Sequence, residues 1–268
     1  MTATAFVAPA FAAAQTPGDT PAVSVHFATG SGQPNALNLL GYLRRPAAEG
    51  RFAAAVLLHG CGGDAIGLDR NWGARLQSWG YVALTVDSFT PRGISVSCQS
   101  GTPAGRIWDP FGALKYLSTL EFVDSSRIAL MGFSEGAWLT LMNVEPKRVE
   151  GPTALNVRAA IAVYPVCSGS GIVSVPTLIV TGQLDDWTPA DACRKMIAQE
   201  SDLGITRSPA PSAAMQLMII PGAYHAFDNP KYQPRLRYMG HILEYNPAAL
   251  NLAMVRIGDF LRKQIGEP

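Results

Sequence analysis

The run Arg127-Ile128-Ala129-Leu130-Met131-Gly132-Phe133-Ser134-Glu135-Gly136-Ala137 decides the fold. Its opening residues are apolar and β-prone, as in a strand buried on both faces. They lead straight into Gly-x-Ser-x-Gly, and Ala137–Asn143 continues with helix-compatible residues. So tight a strand-to-helix turn needs glycine at 132 and 136, because a Cβ at either would meet neighbouring backbone. The turn lifts the Ser134 hydroxyl to the C-terminal end of a sheet and the N-terminus of a helix. Orphan N–H groups there favour developing negative charge. A Gly-rich turn with an incidental serine is the plainer alternative, and the strand before and helix after speak against it.

Outward from this elbow, short apolar runs alternate with longer amphipathic stretches, the pattern of a parallel sheet covered by helices on both faces. Val23–Ala28 and Leu37–Arg44 read as two antiparallel opening strands. Phe52–Leu58, Tyr81–Val86, Ala159–Tyr164, Thr177–Thr181 and Gln216–Ile220 read as further strands, with Arg127–Met131 central among them. Helices are expected at Asn71–Trp79, Trp108–Leu120, Asp191–Glu200 and Ala248–Lys263. With no internal repeat or linker, the expectation is one doubly wound, mostly parallel α/β domain over residues 23–268.

A serine hydroxyl needs a base to take its proton. Of the four histidines, His26 lies in an opening strand, His59 precedes a Gly-rich loop and His241 sits in the tail. His225, in Pro221-Gly222-Ala223-Tyr224-His225-Ala226-Phe227-Asp228, follows the last strand, on the sheet edge where the elbow opens. It is the expected general base. The acid that holds its tautomer should follow the preceding strand, where Asp185 and Asp186 compete on chemistry alone. His59-Gly60-Cys61-Gly62-Gly63 follows the strand Phe52–Leu58. Its glycines would let backbone approach an oxyanion, with the N–H groups of Cys61 and Glu135 as donors. No GxxxxGK[ST] or GxGxxG phosphate loop follows that strand.

Composition narrows the class further. The chain has 268 residues, 48% hydrophobic and 15% charged, against roughly 25% charged in an average domain. Disorder is therefore excluded, and a net charge of +1 offers no footprint for nucleic acid. Beyond the N-terminus, no apolar run approaches the roughly 18 residues of a membrane span. Ala5–Ala14 (AFVAPAFAAA), with Ala12 and Ala14 in an A-x-A pattern, resembles a secretory signal over residues 1–14, although no Lys or Arg precedes it. Residues 15–22 would be a flexible leader. Export would place the protein in the periplasm or outside the cell; without a signal it would be cytoplasmic. Four cysteines allow three pairings, and their spacing fits no zinc site. Two disulfides are expected in an exported protein, Cys61 with Cys98 and Cys167 with Cys193, joining loops at strand ends; four buried thiols are the alternative.

Taken in order, the HGCGG loop, DSFTPRG (Asp87–Gly93), GFSEGA, GQLDDWTP and PGAYHAFD resemble the dienelactone hydrolase-like branch of the α/β-hydrolase fold, from about Leu39 to the C-terminus. The tail from Gly240-His241 to Tyr245-Asn246-Pro247 is similar to exported members. The resemblance implies a G-x-x-D-x-x-x-P spacing that Gly182, Asp185 and Pro189 satisfy and Asp186 does not. It also implies that the cysteine pairs and the Arg92 loop border the active site. The family's namesakes carry Cys in the elbow where this chain has Ser134, which favours a general serine esterase over lactone specificity. The stretch Pro165–Pro176 is only a dozen residues long, too short for a helical cap, so an open site is expected. Phe133, Trp187 and Tyr224 are candidate pocket walls. The expectation is a Ser134–His225–Asp185 hydrolase of small-molecule esters, cofactor-free, metal-free and monomeric. A peptidase or acyltransferase on the same triad, or a non-catalytic binding relative, are the alternatives.

Overall fold

In the computed structural model, which describes residues 21–33, 36–146, 157–199 and 213–267, the apolar runs assemble into one eight-stranded sheet. Its strands are β1 (Val23–Ala28), β2 (Asn38–Arg44), β3 (Phe52–Leu58), β4 (Val82–Asp87), β5 (Val123–Phe133), β6 (Ala159–Val163), β7 (Thr177–Gly182) and β8 (Met215–Ile220). The order is β1-β2-β4-β3-β5-β6-β7-β8. β2 runs antiparallel to both neighbours, and every other pairing is parallel. This is the doubly wound α/β architecture that the sequence implied, and among the described residues no large cap stands over it.

Burial explains why β3 reads as an unbroken apolar run. Ala53, Ala55 and Leu57 face one layer, while Ala54, Val56 and Leu58 face the other. On the first face lie Trp72, Leu76 and helix α6 (Pro247–Ile265), with Ile257, Phe260 and Leu261 inward. On the second lie α3 (Asp109–Ser118), through Leu114 and Leu117, and α4 (Glu135–Asn143), through Leu139. Helix α5 (Ala190–Ile197) packs Cys193 and Met196 beside Ile179 of β7.

Three elements differ from the sequence reading. The helix expected from Asn71 begins earlier, as α1 (Ala65–Leu68), a π turn (Asp69–Gly73) and α2 (Ala74–Ser78). The π turn inserts an extra residue into the helical period, so only its C-terminal part shows a regular stripe. Its Asp69 is buried in an ion pair with Arg44 of β2, at 2.7 Å. β5 starts at Val123, four residues before the apolar run, through the polar Asp124-Ser125-Ser126. A short second sheet, β9 (Leu236–Tyr238) and β10 (His241–Leu243), was not expected at all. The expected leader, 1–14 and nearly all of 15–22, lies outside the described residues.

Both expected cysteine pairs are closed, Cys61–Cys98 and Cys167–Cys193. At separations of 37 and 26 residues, each removes chain entropy worth about 3 to 4 kcal/mol from the unfolded state. The end of α6 lies at the edge of the sheet where the parallel strands begin. There Tyr81 donates to the Gly266 carbonyl at 3.1 Å and Arg127 to that of Glu267 at 3.1 Å.

Candidate active site

Parallel strands deliver their following loops to a common edge, and the site is built from six of them. β5 ends at Phe133, and Ser134 then takes φ 53° and ψ −116° before α4 begins at Glu135. This is backbone that L residues avoid, at a cost of about 1 to 3 kcal/mol. A Cβ on Gly132 would overlap the Gly136 carbonyl, and one on Gly136 the carbonyls of Leu58 and His59, so both glycines are required. The half-buried Ser134 side chain stands beside Gly60 of the neighbouring β3 loop.

β8 and the loop after it place His225 over the serine. Nε2 lies 3.0 Å from Ser134 Oγ, and Nδ1 lies 2.8 Å from Asp185 Oδ2, in the loop after β7. Both residues are buried. Burial alone would push the Asp185 carboxyl up, but His225, the Thr188 N–H and the Thr188 hydroxyl outweigh it and hold it below the usual aspartate value. Its other oxygen accepts from the N–H groups of Trp187 and Thr188, at 3.0 and 2.8 Å. Asp186 points elsewhere, accepting from the Ile242 N–H at 3.1 Å and lying 3.7 Å from His241.

The loop that carries His225 is braced from behind. Glu244 N–H donates to the His225 carbonyl at 3.3 Å and Asn246 N–H to that of Phe227 at 2.9 Å. Asp228, fully enclosed, accepts from Trp72 Nε1 at 2.6 Å and the Tyr164 hydroxyl at 2.7 Å. Burial raises the Asp228 carboxyl above its ordinary value, with those two hydrogen bonds pulling the other way. The Tyr164 and Trp187 rings flank the imidazole, with centroids 4.7 and 5.1 Å away.

Facing the serine, Cys61 is clamped twice: its carbonyl accepts from Ser97 N–H at 2.8 Å, and its sulfur is bonded to Cys98. Beneath the loop lies Arg106, 1% exposed. Nη1 donates to Glu135 Oε1 at 2.7 Å and Nη2 to the His59 carbonyl at 2.5 Å, so one guanidinium joins the β3 loop to the start of α4. Ser97 Oγ donates to the other Glu135 oxygen at 2.7 Å. Nδ1 of His59 lies 2.8 Å from Gly60 O and 3.2 Å from Arg106 Nη2, and Nε2 accepts from Ser88 N–H at 3.3 Å. With Nε2 as an acceptor, the ring is neutral. Burial, reinforced by the Arg106 charge, drives the His59 pKa well below its ordinary 6.5.

With this geometry, the sequence matches the profile of the Dienelactone hydrolase family over residues 39–265. The chain belongs to the dienelactone hydrolase family. It is thereby a carboxylic ester hydrolase by class. No curated protein matches it. Among solved structures, a Klebsiella pneumoniae protein assigned as a dienelactone hydrolase superposes with TM-score 0.67 at 17% identity, over 90% of this chain and 99% of its own. The dienelactone hydrolase of Anabaena variabilis gives 0.63 at 18%, over 91% and 98%. The esterase Est2 of Thermogutta terrifontis gives 0.61 at 18%, over 88% and 91%. At such identities the likeness shows a common fold.

Within this dienelactone hydrolase family member, the residues expected from sequence divide. Ser134, His225 and Asp185 come together, Cys61 and Glu135 flank the serine, and Phe133 and Trp187 line a cavity of about 340 Å³ opening on it. Tyr224 does not line that cavity, and neither does Arg92. The Arg92 guanidinium instead makes a bidentate pair with the buried Asp109, both contacts at 2.8 Å. The expected bordering role of its loop is filled by Val96 and Cys98. Sequence reasoning missed Arg106, Asp228, Tyr164, Thr188 and Ser97, and it missed Leu236 and Tyr238, which β9 brings to the cavity wall. Among the described residues, no three His, Cys, Asp or Glu side chains gather as a metal site would need.

Proposed function

We propose that this protein cleaves carboxylic esters through an acyl-enzyme on Ser134. The supporting observation is the continuous relay from Ser134 Oγ through His225 to Asp185, ending at a cavity open to solvent. Ser134 Oγ attacks the ester carbonyl while His225 Nε2 takes its proton. Asp185, an acceptor for Nδ1–H, fixes the tautomer and stabilises the imidazolium. The N–H groups of Cys61 and Glu135 receive the oxyanion, each worth about 3 to 4 kcal/mol in the transition state. The imidazolium then protonates the leaving alcohol, and water repeats the sequence on the acyl group.

Labelling with a fluorophosphonate probe, read by peptide mapping, tests the nucleophile: modification at Ser134 is expected, and labelling unchanged in Ser134→Ala would reject it. Asp185→Asn should lower kcat about 10³- to 10⁴-fold, by analogy with loss of the acid from a serine triad. Asp186→Asn should cost less than about tenfold, since Asp186 serves β10. Equal losses would refute the assignment of the acid.

Two closed disulfides and the signal-like start also support export to an oxidising compartment. Cell fractionation would find the protein outside the cytoplasm; a reduced cytoplasmic pool would overturn this.

A further inference from the structure

Ser134 lies where two cavities meet, one of about 340 Å³ and another of about 260 Å³. We propose that they divide the substrate: the larger receives the alcohol half of the ester, and the smaller, walled by Trp138, Val166 and Trp187, receives a neutral, apolar acyl half. The assignment rests on the ester-hydrolase reading above and goes beyond it.

Proton transfer decides which half goes where. The two halves of an ester diverge from the carbonyl carbon, so attack by Oγ sends them to different sides. The leaving oxygen takes its proton from His225 Nε2 and must lie within hydrogen-bond reach of it. His225 lines the larger cavity and not the smaller. The alcohol therefore occupies the larger space. The acyl group stays bonded to Ser134 after the alcohol departs, and the space left to it is bounded by Cys61 and Glu135, the two oxyanion residues.

The smaller cavity has the chemistry for an uncharged chain. Trp138 lies one turn beyond the nucleophile on α4, and its Nε1 donates to Ser168 Oγ at 3.0 Å. Val166 and Ser168 flank Cys167, whose disulfide to Cys193 ties the wall to α5. The Cys61–Cys98 bridge closes the other side. Among the described residues Glu135 is the one charged residue in the lining, and Arg106 and Ser97 already hold its carboxylate, so an acyl chain ending in a second carboxylate would be repelled. At roughly 30 Å³ per water-sized group, the space admits about eight non-hydrogen atoms.

The test is a pair of substrate series. One is p-nitrophenyl esters from acetate to decanoate; the other is butyrates of alcohols from methyl to naphthylmethyl. Wild-type kcat/KM should fall beyond about eight acyl carbons. Val166→Trp, at a position 47% exposed and so safe for folding, should lower the octanoate-to-acetate ratio about tenfold. Trp138→Leu should raise that ratio by a similar factor. Neither should move the naphthylmethyl-to-methyl ratio more than about twofold, whereas Tyr238→Ala in the larger cavity should move that ratio and spare the acyl series. Ester turnover in which Val166→Trp and Trp138→Leu shift the alcohol series, or shift neither, overturns the assignment while leaving the hydrolase reading intact. A wild-type protein that cleaves no ester in either series brings down both.

Discussion

Ser134 pays for its exposure with a left-handed backbone, and that cost is measurable. Ser134→Gly should unfold at higher denaturant than Ser134→Ala, by about 1 kcal/mol, because glycine tolerates φ 53° and alanine does not; equal midpoints would mean the turn is relaxed. His59 makes the opposite kind of statement, about protons. Unfolded, it binds a proton below about pH 6.5; folded, it stays neutral to much lower pH. The unfolded state thus binds more protons in that window, so stability falls as pH drops below about 6.5, by up to about 1.4 kcal/mol per pH unit from this group. Urea titrations from pH 5 to 8 should show a shallower dependence in His59→Gln, and parallel curves would remove His59 as the cause. Both catalytic candidates were legible in sequence because each sits directly after an apolar strand in a short motif. Asp185 was not separable from Asp186 by chemistry, since what distinguishes them is which carboxylate turns toward an imidazole 40 residues away.

Between elements, the decisive contact is Arg106, which ties the loop after β3 to the first turn of α4. Those two segments carry the amides of Cys61 and Glu135, so a shift of either misaligns the pair. Arg106→Lys keeps the charge but cannot fork to two acceptors. It should lower kcat by about tenfold to a hundredfold with KM little changed, short of the 10² to 10³ lost with an oxyanion donor itself. Steady-state kinetics beside a circular dichroism spectrum would check this, and a loss confined to KM would contradict it. Nothing local marks Arg106 as buried: its partners are 29 and 47 residues away, and a lone arginine before a helix reads as solvated. The β9–β10 ribbon escaped for a similar reason. Three-residue strands carry no usable alternation, and Leu236 and Tyr238 acquire meaning only by reaching the cavity.

For the molecule as a whole, the strands and their parallel class were readable because the buried runs are long and separated by helical stretches, and the open site followed from the shortness of the β6–β7 connection. Residues 165–176 form no helix, and none stands over Ser134 from that loop. Rates on a sparingly soluble ester should therefore rise smoothly through its solubility limit, and a jump there would reveal a mobile cover. The anchoring of α6 bears on handling. Its end is fastened by Tyr81 and Arg127 at the edge of the sheet opposite the one that carries Ser134. A bead, a membrane anchor or a fused partner attached there would leave the mouth facing outward, so an immobilised preparation should keep the turnover of the free protein.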